Sequence, residues 1–409
     1  MKILNINRFY YLRGGADVYF FLLKDILERN NHTVIPFSTI LDKNITTDYS
    51  RYFVEGYSED TFPSLNMAKK AKLFFNSIYS SEVKRKLTHL INEEKPEIAH
   101  VHSIFYQLSL SVIYTLKEQG IPIVMSLNDY FILCANGYLF RNGDICELCR
   151  DRRYSRIIFH KCYRESFSPS LMAYFVKKLQ IYHRVLASVD KFIVPTEEIR
   201  TIMVDWGMDK DKIGVVHNPF DVERYEPNFT FGDYIVFYGR LVRLKGIFTI
   251  LRALNKTKNI KLKIFGSGPD QKEIEAYIAK NNMKNVEINT NLRWGSELIK
   301  LISNARFVIS APEWFAPSDY VVYESFSLGK PVIASAIGGN LSLIKDGYNG
   351  LLFTPGDADA LSEKIKWLYN NEASIVEMGK NARDFAVKNF NYVNFYNSLM
   401  KIYKSALGK

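Results

Sequence analysis

The 409-residue sequence predicts an α/β protein built of two parallel-sheet domains. One observation is size: 47% of the residues are hydrophobic, and because a single core stops growing at roughly 250 to 300 residues, the chain should divide in two. The other is pattern: short β-branched runs bounded by Pro or Gly alternate with helical stretches in both halves. Such runs are typical of buried parallel strands, which helices cover on both faces.

The first half contains six runs that we interpret as strands, namely MKILNI, HTVIPFS, PEIAHVHS, PIVMSLND, KFIVPTEE and DKIGVV. Gly14, Gly15 and Ala16 stand between the first strand and the helix that follows it. A glycine pair before a helix lets the backbone approach a ligand, and the exposed amides and the helix dipole favour an anion such as a diphosphate. A plain turn is the alternative interpretation.

Polar side chains follow two of these strands at their carboxyl ends. His102 comes after PEIAHV, and Asn128 and Asp129 come after PIVMSL. Because open α/β sheets bind ligands at the carboxyl ends of their strands, we expect substrate chemistry on this edge.

The stretch from residue 68 to residue 95 interleaves basic and large apolar side chains. These are Lys69, Lys70, Lys72, Lys84, Arg85 and Lys86, with Leu73, Phe74, Phe75, Ile78 and Leu87. The mixture suits an anionic membrane surface. The alternative is a solvated basic helix that packs its apolar stripe on the core.

All four cysteines fall in one short segment, in the order C-x11-C-x2-C-x12-C; they are Cys134, Cys146, Cys149 and Cys162. Four thiolates complete a tetrahedral zinc site, and four protein ligands leave no open position for catalysis. A structural zinc is therefore one interpretation. Reduced buried thiols and redox chemistry are the others.

The second half repeats a strand, a glycine-rich turn and a helix. In DYIVFYGRLVRLKG the strand ends at Gly239, and Arg240 and Lys245 precede a helix. Two cations and a helix N-terminus there would converge on one negatively charged group. The segment KLKIFGSGPD places Gly266 and Gly268 in the corresponding turn. Two surface bases on an exposed turn are the alternative.

Two carboxylates, Glu313 and Glu324, lie between the apolar runs ARFVIS and KPVIAS. The two runs are typical of parallel strands, and the segment YVVYESFSLG between them predicts a helix that ends at Gly329. Glu313 should then lie on the loop at the carboxyl edge of the sheet, with Glu324 on the helix facing it. The alternative is two ordinary exposed carboxylates.

The motifs GRL-x-x-x-KG and P-x-W-F…E…G-K-P-V-I-A-S…G-G resemble the nucleotide-sugar site of glycosyltransferase family 4. The resemblance spans nearly the whole chain and implies the GT-B fold, two Rossmann-like domains facing across a cleft. The expected domains are residues 1–218, on the acceptor side, and 233–390, which bind the nucleotide sugar. Residues 219–232 would link them, and a helix over 391–409 would return to the first domain.

The resemblance also implies roles for individual residues. The loop with Gly14, Gly15 and Ala16 would lie over the donor phosphates, as would Gly239, Gly266, Gly268, Phe315 and Ala316. Glu313 would contact the sugar hydroxyls, Glu324 the ribose, and Arg240 and Lys245 the diphosphate. Three positions depart from the family pattern: Asn128 stands in place of a His, Ala316 in place of a Gly, and Ser342 in place of a Glu.

The implied activity is transfer of a sugar, with retention of anomeric configuration, from a nucleoside-diphosphate sugar to a polysaccharide or lipid-linked acceptor. The cysteine segment resembles that of a family branch associated with bacterial surface polysaccharides. A second hypothesis is a non-catalytic GT-B subunit that binds sugar nucleotide or a partner enzyme. A third hypothesis is a sugar-nucleotide epimerase on the same fold.

Charge and composition limit the classes of partner, the location and the metal that we expect for this protein. A formal charge of +11 indicates anionic partners, and with these motifs we expect sugar nucleotides rather than nucleic acid. No apolar run approaches the roughly 18 residues of a membrane span, which favours a cytoplasmic protein, peripheral to a membrane at most. Asp357 and Asp359 open a helix, so we interpret them as capping residues and expect no catalytic metal.

Overall fold

The computed structural model describes residues 1–12, 14–57, 65–291 and 295–408. The chain separates into two compact units. The first comprises Met1–Leu139, Cys146–Pro219 and Val393–Lys409, and the second comprises Phe140–Ile145 and Phe220–Tyr392. The linker expected at residues 219–232 stays a prediction.

From Met1 to Pro219 the elements follow in this order: β1 (Lys2–Ile6), α1 (Gly15–Arg29), β2 (Thr33–Phe37), β3 (Thr39–Ile40), β4 (Val54–Glu55), α2 (Met67–Ile78), α3 (Ser81–Glu94), β5 (Ile98–Val101), α4 (Ser111–Glu118), β6 (Ile123–Ser126), β7 (Phe140–Arg141), β8 (Asp144–Ile145), α5 (Arg156–Phe159), α6 (Phe167–Tyr182), α7 (Val185–Ser188), β9 (Lys191–Val194), α8 (Glu197–Asp205) and β10 (Ile213–Val215). The six predicted strands are confirmed as β1, β2, β5, β6, β9 and β10.

The sheet of the first unit has the strand order β10-β9-β6-β5-β1-β2, and every neighbouring pair is parallel. Every residue of β5 and β6 is buried. Their continuous apolar composition therefore follows from burial on both faces rather than on one. All six strands end at the same edge, and this edge carries the loops after β1, β5 and β6.

From Phe220 onward the elements are β11 (Tyr234–Tyr238), α9 (Ile247–Asn255), β12 (Lys261–Phe265), α10 (Gln271–Lys280), β13 (Val286–Asn289), α11 (Ser296–Ser303), β14 (Val308–Ser310), α12 (Tyr320–Ser327), β15 (Val332–Ser335), α13 (Asn340–Leu343), β16 (Gly350–Phe353), α14 (Ala358–Tyr369), α15 (Glu372–Asn389) and α16 (Tyr392–Ala406). The predicted strand, loop, helix, strand unit is confirmed as β14, α12 and β15, and Gly329 adopts the left-handed φ of +69° just after the helix.

The second sheet has the order β13-β12-β11-β14-β15-β16 and is also parallel throughout. Two apolar clusters cover it: one joins the sheet to α9 and α14, and the other joins it to α12 and α15. The capping prediction for residue 357 is confirmed, because one Asp357 carboxylate oxygen accepts hydrogen bonds from the amides of Asp359 and Ala360, each at 2.9 Å.

Helix α16 packs within the first unit. The Tyr403 hydroxyl lies 2.6 Å from Nδ1 of His100 on β5, and the Tyr396 hydroxyl lies 2.9 Å from Nε2 of His32. Phe395 adds an edge-to-face contact with Tyr19 of α1. Because Tyr403 and His100 are fully buried, their hydrogen bond fixes the rotation of the helix about its axis.

Candidate functional site

Two glycine loops run side by side at the carboxyl edge of the second sheet. The Gly239 amide donates to the Phe265 carbonyl (2.9 Å), and the Leu241 amide donates to the Ser267 carbonyl (3.0 Å). A Cβ on Gly266 would stand 1.9 Å from the Gly239 oxygen, and one on Gly268 would stand 2.2 Å from the Leu241 oxygen. Contact between the two loops therefore requires glycine at 266 and 268, whether or not a nucleotide lies beside them.

The predicted cations follow Gly239 on the same loop. The Arg240 side chain is exposed, and Lys245 ends a short 3-10 turn directly before α9. Gly246 allows that approach: it has φ +66°, and a Cβ there would stand 1.8 Å from the Ala311 oxygen. A third base, Arg243, is engaged elsewhere, because its guanidinium pairs with Glu273.

Asp319 is a residue that the sequence interpretation missed. Its carboxylate lies 3.2 Å from Nζ of Lys245 and accepts a hydrogen bond from the Ser310 hydroxyl at 2.6 Å. It is 5% exposed and immediately precedes α12. An Asp before a predicted helix was the available signal, but that position suggests helix capping. The Asp319 side chain makes no capping hydrogen bond.

Glu324 lies one turn further along α12, half-buried. Burial raises the pKa of its carboxyl from 4.5 to about 8; the hydrogen bond with Tyr238 and the charge of Lys245 lower it, whereas Asp319 raises it. The Tyr238 hydroxyl also lies 3.1 Å from the Val321 carbonyl. At pH 7 this carboxyl is therefore mostly protonated, and it can donate a hydrogen bond as well as accept one.

Glu313 points to a different neighbour. Its carboxylate accepts a hydrogen bond from the Thr249 hydroxyl on α9, and Arg252 donates to the same hydroxyl at 2.8 Å. Its amide donates to the Leu244 carbonyl at 3.0 Å. Lys245 thus has Asp319 and Glu324 as its acidic neighbours, while Glu313 is held against α9.

The loop with Phe315 and Ala316 packs on the turn before α13. The Ala316 carbonyl accepts from the Gly339 amide (2.9 Å), and the Ala316 amide donates to the Trp314 carbonyl (2.7 Å). A Cβ on Gly338 would stand 2.6 Å from the Ala316 oxygen. The Ala316 amide, expected to face a diphosphate, is therefore already engaged within its own loop.

A small pocket lies at the carboxyl edge of the first sheet, between the loops after β1, β5 and β6. Ala16, His102, Asn128 and Asp129 line it, as do Asn7 and Ser126. Gly14 is the residue before α1, with extended backbone and open space where a Cβ would be, and Gly15 is the first residue of the helix. The first sheet thus brings Ala16 and Asn128 to one pocket.

His100 and His102 are stacked in the core beneath this pocket, with ring centroids 4.4 Å apart. Burial lowers the pKa of His100 to about 3, and burial followed by the charge of His100 holds the pKa of His102 well below its usual value. Both rings are therefore neutral at pH 7. Nε2 of His102 donates to the Asn5 side-chain oxygen (2.8 Å), which leaves its Nδ1 as a hydrogen-bond acceptor.

Asp129 is the acidic side chain of this pocket. Its carboxylate accepts a hydrogen bond from the Phe131 amide at 3.0 Å. Burial raises the pKa of its carboxyl, while the Phe131 amide and the charges of Arg8 and Lys177 lower it.

The four cysteines are free and half-buried. Burial raises the pKa of Cys149 to about 12, and the thiols of Cys134, Cys162 and Cys146 lie close enough to raise it further. Within the described ranges, no group of three or more His, Cys, Asp or Glu side chains is arranged to hold a metal ion. The cysteines are thus neighbours, but they are not in a coordinating arrangement.

Comparison with known proteins identifies the chain. Residues 13–224 match the model described as Glycosyltransferase Family 4, and residues 225–385 match Glycosyl transferases group 1. Two consecutive models of sugar-transferring enzymes thus cover almost all of the chain, which is a glycosyltransferase. Because the first model covers more than half of the 409 residues, the chain belongs to glycosyltransferase family 4.

Individual relatives agree. An uncharacterized glycosyltransferase of Methanocaldococcus jannaschii is 25% identical over 351 residues, which are 83% of this chain and 92% of that protein. Anabaena HepE, solved with UDP and glucose, superposes with a TM-score of 0.69 at 16% identity, covering 99% of this chain and 100% of that one. The lipopolysaccharide outer core galactosyltransferase WaaB superposes with a TM-score of 0.64 at 16% identity, covering 98% and 99%. The fold is that of the GT-B enzymes, with two Rossmann-like α/β domains.

Among the helices of the described residues, none combines the length and the hydropathy that crossing a membrane requires.

Proposed function

We propose that this glycosyltransferase takes its sugar from a nucleoside-diphosphate donor, bound at the carboxyl edge of the second sheet. The observation that carries the proposal is the group formed by Lys245, Asp319 and Glu324, with Arg240 on the same loop as Lys245. An ammonium, a guanidinium and a helix N-terminus suit a diphosphate. The HepE structure, which contains UDP and glucose, supports a donor of this class.

The chemistry follows from the charge of the leaving group. As the bond between sugar and diphosphate breaks, negative charge grows on the phosphate oxygens, and cations already in place stabilise that state more than the ground state. Lys245 and Arg240 take this role. Glu324, protonated at pH 7, would donate to a ribose hydroxyl, and Glu313 would orient the sugar. In a retaining reaction, the departing phosphate would take the proton of the acceptor hydroxyl.

In the first unit, we assign the pocket lined by Ala16 and Asn128 to the sugar and acceptor side. Asn128 offers an amide where the family carries an imidazole, so it keeps hydrogen bonding without a titratable group. The acceptor that we propose is a growing polysaccharide or a lipid-linked sugar. The WaaB likeness supports a glycan acceptor. The expected domain limits, residues 1–218 with 391–409 and residues 233–390, belong to this same proposal.

We further propose that helix α2 brings the first unit to an anionic membrane surface. The helix carries no acidic residue, and Met67 and Phe75 are 80% and 66% exposed. Other bases of the stretch are engaged within the protein: Lys72 pairs with Glu55, Lys84 with Glu118 and Lys86 with Glu82. Sedimentation with anionic vesicles at low salt tests this, and an exchange of Lys69 and Phe75 for Gln and Ser should abolish co-sedimentation. Absence of wild-type binding would refute it.

A structural zinc bound by Cys134, Cys146, Cys149 and Cys162 is also part of the proposal. The four thiols are neighbours in one segment, and metal binding would have to draw them from their present arrangement into the tetrahedral set of four thiolates that zinc takes. Metal analysis of protein purified without added zinc should find about one equivalent. Less than a tenth of an equivalent, together with four reactive thiols, would overturn this assignment.

The central experiment measures donor binding and turnover in the whole chain. A panel of nucleoside-diphosphate sugars should contain one that raises the melting temperature, because a ligand of the folded state stabilises it. With that donor, Lys245→Ala should lower turnover by about 100-fold or more, since loss of one preorganised electrostatic group typically costs that much.

Lys284→Ala is the matched control, because Lys284 belongs to the same unit but follows α10, away from the loop of Lys245. It should turn over donor at the wild-type rate. Near-normal turnover of Lys245→Ala would remove this lysine from the mechanism. A donor that binds but is never hydrolysed or transferred would favour the non-catalytic subunit, to which the engaged Ala316 amide also points.

A further inference from the structure

The mechanism described so far gives no role to Asp319, which forms an ion pair with Lys245. Nζ of Lys245 lies 3.2 Å from one oxygen of Asp319, and the Ser310 hydroxyl donates to the other oxygen at 2.6 Å. Both carboxylate oxygens therefore have a partner. The lysine side chain is 27% exposed and the aspartate only 5%, so the pair presents its ammonium to the solvent and keeps its carboxylate inside.

Ordinary structural roles do not account for Asp319. It stands at the N-cap position of α12 but makes no capping hydrogen bond. Placing a carboxylate at 5% exposure costs free energy, and the lysine and the serine are the side chains that bond it there. A neutral residue would avoid that cost, so the charge itself requires an explanation.

The position of the pair supplies one. A lysine side chain is a flexible stem that loses rotamer freedom when it is fixed, and a buried counter-ion is a direct way to fix it. The same counter-ion also partly neutralises the ammonium, so it competes with any anion that binds there. These two effects oppose one another: the first favours catalysis and the second weakens binding.

We propose that Asp319 is a positioning residue, an internal counter-ion that holds Lys245 in its catalytic place and competes with the donor diphosphate for it. The inference rests on the proposed function, because it takes Lys245 as the cation that faces the diphosphate. In this arrangement the carboxylate holds the ammonium in position and, by neutralising part of its charge, lowers its affinity for a free anion. Asp319 does not touch the substrate, and it acts through Lys245.

The test separates anion affinity from turnover. Asp319→Asn keeps the shape and the capacity to accept from Ser310 while removing the charge. We expect inorganic pyrophosphate, a probe independent of the nucleotide base, to bind this variant about tenfold more tightly in calorimetry, because a neighbouring negative charge is gone. We expect kcat with the active donor to fall at least tenfold, while KM falls or stays constant. A purely structural role would lower the melting temperature without this split.

Ser310→Ala is the matched control, since it removes the hydroxyl contact but leaves the charge. It should show no gain in pyrophosphate affinity. If Asp319→Asn folds poorly, Asp319→Ser removes the same charge with a smaller side chain and should give the same split. Pyrophosphate affinity that is unchanged or weaker without the carboxylate, or wild-type kcat, would overturn the proposal. Failure of the donor proposal looks different, because the wild-type protein would then bind neither pyrophosphate nor any nucleotide sugar.

Discussion

Replacing Glu324 by Gln should remove part of the pH dependence of the free energy of unfolding. Burial raises the pKa of this carboxyl from 4.5 to about 8 in the folded chain. Between these two pH values the unfolded chain releases the proton while the folded chain retains it. The free energy of unfolding therefore decreases as the pH rises. Below pH 4.5 both states are protonated, and the full stability is present. Gln mimics the protonated acid at every pH and should remove this loss.

The magnitude follows from the size of the shift. Each pKa unit corresponds to about 1.4 kcal/mol, so a shift from 4.5 to about 8 sets a ceiling of about 5 kcal/mol. Because Glu324 is half-buried, solvent screening should reduce this to about 2 kcal/mol. For a domain of this size that corresponds to a rise in melting temperature of about 4 to 8 °C for the variant at pH 8.

Calorimetry of the wild-type chain and of Glu324→Gln from pH 4.5 to pH 8.5 measures this effect. The two melting temperatures should coincide at the acidic end and separate steadily as the pH rises. Glu55→Gln is a control of opposite sign, since the hydrogen bond with Lys72 lowers the pKa of Glu55 and its stabilisation is lost as the pH falls. A difference in melting temperature between wild type and Glu324→Gln that does not change with pH would show that the Glu324 carboxyl does not titrate in this way.

Two further predictions concern packing. Gly266→Ala should unfold or strongly destabilise the second unit, because its Cβ would meet the backbone oxygen of the neighbouring loop at 1.9 Å. Soluble yield and melting temperature measure this effect, and wild-type stability would contradict it. Tyr403→Phe should cost about 1 to 3 kcal/mol in the free energy of unfolding, because it leaves the buried Nδ1 of His100 without its partner. In urea denaturation Tyr396→Phe should cost less, since its bond to His32 is only part-buried, and equal costs would count against this account.

Most of the fold could be predicted from local pattern. The strands are continuous apolar runs because parallel sheets are buried on both faces, and this signal does not depend on distant contacts. The cap at Asp357 was likewise readable, since a side chain that bonds amides two and three residues ahead is a local interaction.

The candidate site was predictable only in part. Lys245 and Glu324 do share a neighbourhood, as the strand ends and the helix between them suggested. The Glu313 amide donates to the Leu244 carbonyl, next to Lys245, while its carboxylate accepts a hydrogen bond from Thr249. The contact with a sugar that was expected of Glu313 stays a prediction. The direction in which a loop side chain turns depends on the elements that pack around the loop, and these are distant in sequence.

Local sequence was enough to predict the two parallel sheets, the glycine loops at their carboxyl edges and the presence of cations there. Periodicity and turn chemistry carry that information within about ten residues of each position. The folded structure was needed to show that Asp319 is the carboxylate beside Lys245 and that burial raises the pKa of Glu324 to about 8. Both depend on burial and on charges from separate strands and helices, and the folded chain alone brings these together.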